Sequence, residues 1–141
     1  MRVIGVDFGD VRTGISVSDE SMFLATGVAT VTASGLKALA GVIDGWCRRY
    51  GAKKIVMGRP LNMDDTPSPR TLKTERFAGI LEEVTGLPVE LYDERLTTVE
   101  AHEIMNATDT RGKKRKKAVD TLSAEIILQG WLDGEREKRR G

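Results

Sequence analysis

Residues 3–18 constrain the fold more tightly than any other part of the chain. Val3 to Phe8 is short, rich in β-branched side chains and closed by Gly9, which suits a buried strand better than a helix. The link Gly9-Asp10-Val11-Arg12-Thr13-Gly14 is polar and bracketed by glycines, and a second strand pattern, Ile15 to Ser18, follows at once. So short a connection favours an antiparallel hairpin. The protein therefore starts by building a sheet.

A third strand is expected between Phe23 and Val31. Leu36, Leu39, Ala40, Ile43, Trp46, Cys47 and Tyr50 then recur at helical spacing, with Ser34 as the expected N-cap and Gly51 at the C′ position. Lys54 to Met57 reads as a strand, so strand, helix and strand succeed one another and imply a crossover with parallel pairing. Arg59 to Arg70 holds three prolines, two aspartates and an asparagine, and reads as a loop. A helix is expected from Thr71 to Thr85, stopped by Gly86, and a strand from Pro88 to Tyr92. Thr97 and Glu100 match a capping box for a helix reaching about Asn106. Val119, Leu122, Ile126 and Gln129 form one stripe of a last helix, which Asp120 is expected to begin and which is expected to end near Asp133. This order fits an α/β layer with a mixed sheet. At 141 residues with 40% hydrophobic residues, one domain is expected.

Several function classes drop out on composition. Cys47 is the only cysteine and His102 the only histidine, which excludes an intrachain disulfide and a Cys/His zinc site. No apolar run approaches the roughly 20 residues that span a bilayer, and the N-terminus lacks the pattern of a signal peptide. A cytoplasmic protein with no membrane partner is expected. The formal net charge of +1 names no partner, but the distribution is uneven. Arg111 to Lys117 carries six cations in seven residues, and Arg136 to Arg140 is basic again. A like-charge block is ordinarily a solvated loop. Lying just before Asp120, Lys113, Lys114, Arg115, Lys116 and Lys117 are read instead as an arm that contacts phosphates, the main source of nonspecific nucleic-acid affinity.

Carboxylates fall where they can be aimed. Asp7 ends the first strand, Asp93 and Glu94 end the fifth, and Asp120 lies in the last helix. The C-terminal ends of parallel strands open on a common crevice. Several carboxylates there suit a hard cation such as magnesium, and a pair of such ions can promote phosphodiester cleavage. Each also has a plain alternative. Asp7 could cap the turn at Gly9, Asp93 and Glu94 could pair with Arg95, and Asp120 could answer a helix dipole. Because strand side chains alternate, only one of Asp93 and Glu94 is expected at the site. His102 has no expected role, and Trp46 and Trp131 read as packing residues.

Together, Asp7-Phe8-Gly9 with Arg12-Thr13-Gly14, Gly58 to Met63, Asp93 to Thr98, and Val119-Asp120 with Ile127 to Gln129 and Leu132-Asp133 resemble the YqgF/RuvX family of Holliday-junction resolvases and precursor 16S rRNA nucleases. The resemblance spans nearly the whole chain in order. It implies an RNase H-like three-layer α/β fold: a five-stranded mixed sheet, the first three strands antiparallel and the last two parallel, flanked by helices. On the same resemblance residues 1–135 are the nuclease domain and 136–141 a basic tail, and Asp7, Glu94 and Asp120 are the catalytic ligands of Mg2+ or Mn2+. Arg12 and Arg95 match family positions that could hold phosphates. The implied substrate is a four-way DNA junction or precursor 16S rRNA, handled by a monomer or a homodimer. Arg59, Asp65 and Ser123 depart from the family pattern, whereas the acidic positions do not. Two other readings stand beside it. One is a non-catalytic nucleic-acid-binding factor in ribosome assembly or on ribosomal particles. The other, from the Asp7-Phe8-Gly9 hairpin, is a nucleotide-binding domain like those of sugar kinases and actin-like ATPases, which a single domain of this size disfavours.

Overall fold

The computed structural model describes residues 1–62, 64–93 and 112–140; the side chains of residues 112–120 and 140 are not among those described. The elements are β1 (Val3–Asp7), β2 (Thr13–Ser18), β3 (Ala25–Val31), α1 (Leu36–Tyr50), β4 (Lys54–Arg59), α2 (Pro69–Thr85), β5 (Val89–Asp93) and α3 (Gly112–Arg140). The strands form one sheet in the order β3-β2-β1-β4-β5. β1, β2 and β3 pair antiparallel, while β4 and β5 join in parallel, as the resemblance implied.

Three layers follow from how the central strands alternate. Ile4, Val6 and Phe8, with Ile55 and Met57, face α1 and α2 and pack with Leu39, Ile43, Cys47, Phe77 and Leu81. Val3 and Val56 face the other way, against Ile127, Leu128, Trp131 and Leu132 of α3. Strands covered on both faces need apolar residues at successive positions, which is why Val3 to Val6 is buried throughout. α3 lies unusually close to the sheet. A Cβ on Gly5 would sit 2.8 Å from Leu128 Cβ, and one on Gly27 would sit 2.4 Å from Thr121 Cγ2. The helix also serves the β3 edge, because Gln129 accepts from the Ala25 amide at 2.8 Å and Glu125 from the Gly27 amide at 2.9 Å. Among the described residues β3 is an edge of the sheet.

The structure shifts several expected boundaries. The N-cap of α1 is Gly35 rather than Ser34: the chain enters the helix at φ 92, a conformation glycine tolerates, and no side chain caps it. Gly51 closes α1 in the left-handed region, as expected. α2 starts at Pro69, two residues before Thr71. Proline signals a loop in general but fits the first helical position, and Ser68 with Thr71 completes a reciprocal cap. The largest correction concerns α3. Residues 112–117, read as an arm ahead of the last helix, are part of the helix itself, and Asp120 lies two turns inside it rather than at its start. Lysine and arginine are good helix formers, and here that preference prevails over their mutual repulsion. The helix also runs past Asp133 to Arg140, so residues 136–140 continue it. The expected helix of 97–106 lies outside the described residues. No helix among the described residues is long and apolar enough to cross a membrane.

Candidate active site at the strand ends

Asp7 is the last residue of β1 and is half-buried. Val3 and Gly5, four and two residues back, both face α3, so strand alternation turns Asp7 to that same face. Across the sheet, Asp7 pairs with Gly14 of β2, and Gly14 pairs with Thr30 of β3. This row is where α3 arrives. Thr121 Oγ1 lies 2.7 Å from Thr30 Oγ1, and two rows further down Ser16 Oγ donates to the Ala124 carbonyl at 2.7 Å. Asp120 is one residue before Thr121 and one helical turn before Ala124. Its side chain is outside the described set.

β5 settles a question of parity. Val89 and Leu91 pack on the core beneath α1 and α2, whereas Tyr92 packs on the α3 side and Glu90 accepts a hydrogen bond from Trp131 of α3. By alternation, Asp93 belongs with Val89 and Leu91, on the face opposite Asp7. It pairs with Arg59 at the end of β4. Glu94 and Arg95 lie outside the described residues. Of Asp7, Glu94 and Asp120, then, the structure gives the side chain of Asp7 alone, and among the described residues no group of three or more metal-binding side chains comes together.

The donor chemistry nevertheless narrows what this end of the sheet could hold. Cys47 is in the core, where burial first and the Asp44 charge second push its thiol up to about 12. It supplies no thiolate. Asp7, which ends β1, offers oxygen donors, which suit a hard divalent cation.

Two cationic features escaped the sequence reading. Arg59 ends β4, between the ends of β1 and β5, 3.7 Å from Glu75 of α2, with its Nε buried and lacking a partner among the described residues. Arg70 and Lys73, one turn apart at the start of α2, both reach Asp10 in the turn after β1. Asp10 Oδ2 is 3.1 Å from Arg70 Nη1 and Oδ1 is 3.1 Å from Lys73 Nζ. The Lys73 hydrogen bond, and then the Arg70 charge, hold the Asp10 carboxyl below its usual value. Arg70 Nη2 also donates to the Phe8 carbonyl at 2.8 Å, next to Asp7. The signal was present as two cations three residues apart, but Arg70 fell in what read as a loop. Arg12 is on the same turn, where its carbonyl would meet a Cβ on Gly9 at 2.1 Å, so only glycine fits there.

A mixed sheet in the order β3-β2-β1-β4-β5 with helices on both faces matches the RNase H-like fold, and solved structures share it. RuvC of Thermus thermophilus, in complex with a Holliday junction substrate, superposes with a TM-score of 0.61 over 97% of this chain and 96% of that one, at 15% identity. The Fowlpox virus resolvase, in complex with Holliday junction DNA, gives 0.59 over 96% and 99%, at 11% identity. More specifically, the chain belongs to the RuvX family, described as Holliday junction resolvase, whose profile matches residues 1–134. A relative from Geobacillus kaustophilus, named "Putative pre-16S rRNA nuclease", is 42% identical over 142 aligned positions, covering 96% of this chain and all of the relative.

Proposed function

We propose that this protein is a divalent-metal-dependent endonuclease that trims precursor 16S rRNA, with Asp7, Glu94 and Asp120 holding Mg2+ or Mn2+. The observation that carries the reading is the position of Asp7: half-buried, at the end of a central strand, on the face and in the row where α3 meets the sheet. Asp120 precedes Thr121 on that helix. The parity of β5 favours Glu94, since Asp93 takes the opposite face. Three carboxylates from β1, the end of β5 and α3 would then converge from different elements, which is what a rigid site requires.

When bound, the metal would supply an activated water and stabilise the leaving oxygen of the phosphodiester. The protein's own part is to hold the ligands and bring in the substrate. Lys113 to Lys117, in the first turns of α3 and adjoining Asp120 in sequence, are suited to neutralise phosphates, and Arg12 and Arg95 to orient them. Precursor rRNA is favoured over junction DNA by the naming of relatives about 40% identical along nearly their whole length. Junction resolution is the second reading, favoured by the family description. A cytoplasmic setting follows from an rRNA substrate.

Incubating purified protein with precursor 16S rRNA and, separately, with a four-way DNA junction in Mg2+ or Mn2+ tests both. Products at the 5′ end of the RNA, with an intact junction, support the proposal. Symmetric nicking of the junction alone supports the second reading. Metal-independent binding without cleavage of either would leave a binding factor.

A further inference from the structure

Asp10 is held in an unusual way for an exposed carboxylate. Each of its two oxygens faces a different cation of α2, Arg70 on one side and Lys73 on the other, both at 3.1 Å. All three side chains remain accessible, at 62%, 41% and 48% of full exposure. Ion pairs this exposed contribute little to stability, so their partners exchange easily. Two cations around one small anion also leave a surplus positive charge.

The framework beneath the pair is firm. Arg70 is anchored by its second nitrogen to the Phe8 carbonyl, Phe8 stacks on Phe77 at 4.6 Å, and the Lys73 ammonium lies 5.8 Å from the Phe8 ring. Beside it opens a cavity of about 210 Å³, lined in part by Gly9, Asp10, Thr13 and Lys73. Asp10 is three residues beyond Asp7, so the two Cα atoms are at most about 11 Å apart. That is about three nucleotides at the ~3.4 Å rise of a stacked strand.

We infer that Arg70 and Lys73 form a seat for a backbone phosphate of the nucleic-acid substrate, and that Asp10 fills this seat until the phosphate displaces it. The inference rests on nucleic acid being the partner, as proposed above. A phosphodiester offers the same two-oxygen geometry as the carboxylate, and Arg70 keeps its bond to Phe8 throughout. Asp10 returns to water, where an ionised carboxylate is well solvated. The seat lies on the α1/α2 side of the strand ends, whereas Asp7 faces α3. A strand bound at both would cross over the end of the sheet.

The test is binding of a fluorescent stem-loop RNA with a single-stranded 5′ extension, followed by anisotropy in EDTA across a salt series. Asp10→Asn should tighten binding about two- to fivefold, the range of one released surface ion pair. Lys73→Gln should weaken it and lower the slope of log K against log salt by about 0.7, one single-strand phosphate contact. In the double variant the gain from Asp10→Asn should shrink, because only Arg70 is left for Asp10 to occupy. Glu83→Gln, at the far end of α2, reports the effect of net charge alone. A gain in Asp10→Asn no larger than in Glu83→Gln, or equal weakening by Asp10→Asn and Lys73→Gln, overturns the inference. Cleavage is assayed separately in Mg2+, so failure of the nuclease reading leaves this comparison intact.

Discussion

Ser16 and Ala124, 108 residues apart, are joined by a hydrogen bond of 2.7 Å from the Ser16 hydroxyl to the Ala124 carbonyl. The bond fixes the height of α3 over β2 one turn after Asp120. Ser16 is fully buried, so Ser16→Ala should lower unfolding free energy by about 1 kcal/mol in urea denaturation, the usual net value of such a bond. Activity should fall further than stability if the register of α3 positions a ligand.

Gly5 is the second determinant of that register. Its Cβ would lie 2.2 Å from Ser16 Oγ and 2.8 Å from Leu128 Cβ, so the helix cannot keep its distance once a methyl group is present. Gly5→Ala should cost about 1–3 kcal/mol or more, as overpacking does, and lower the thermal midpoint accordingly. An unchanged midpoint would mean that α3 is free to lift.

Much of this arrangement was legible from local patterns. The hairpin of β1 and β2, the helix that ends at Gly51 and the strand that follows it each come from residues acting on near neighbours. What was not legible depends on competition or on distance. Residues 112–117 could be loop by repulsion or helix by propensity, and only the helix they join decides it. That Asp93 faces away from Asp7 follows from the facing of β5, which Glu90, Tyr92 and Trp131 reveal and no spacing does. Arg70 was hidden because Pro69 reads as a loop residue until Ser68 is seen capping the helix.

Glu90 gives a pH prediction. Partial burial opposes its charge, but hydrogen bonds from Lys54 at 2.8 Å and Trp131 at 2.5 Å outweigh that and hold its carboxyl below its ordinary value. A depressed pKa contributes stability above the unfolded-state value, and that contribution is lost as pH falls through the folded one. The wild type should therefore exceed Glu90→Gln in stability at neutral pH, and the gap should close below about pH 4. Urea midpoints from pH 3 to 7 check this; a constant gap would contradict it.

Cys47 should be unreactive while the protein is folded. With its thiol pushed up to about 12 and its side chain in the core, almost no accessible thiolate exists at neutral pH. Iodoacetamide labelling at pH 7.5, read by intact mass, should be negligible in buffer and complete in denaturant. Rapid labelling of the native protein would show that the α1 core opens.

Asp7 bears the central claim, and its cleavage rate under single-turnover conditions tests it most directly. With precursor 16S rRNA in saturating Mg2+, Asp7→Asn keeps the size of the side chain and removes the charge a metal ligand needs. The account predicts a rate at least about a hundredfold below wild type, as expected for loss of a ligand that stabilises the transition state, with RNA binding in EDTA unchanged. Equal rates for wild type and Asp7→Asn would contradict it and return Asp7 to the role of a turn residue at the end of β1.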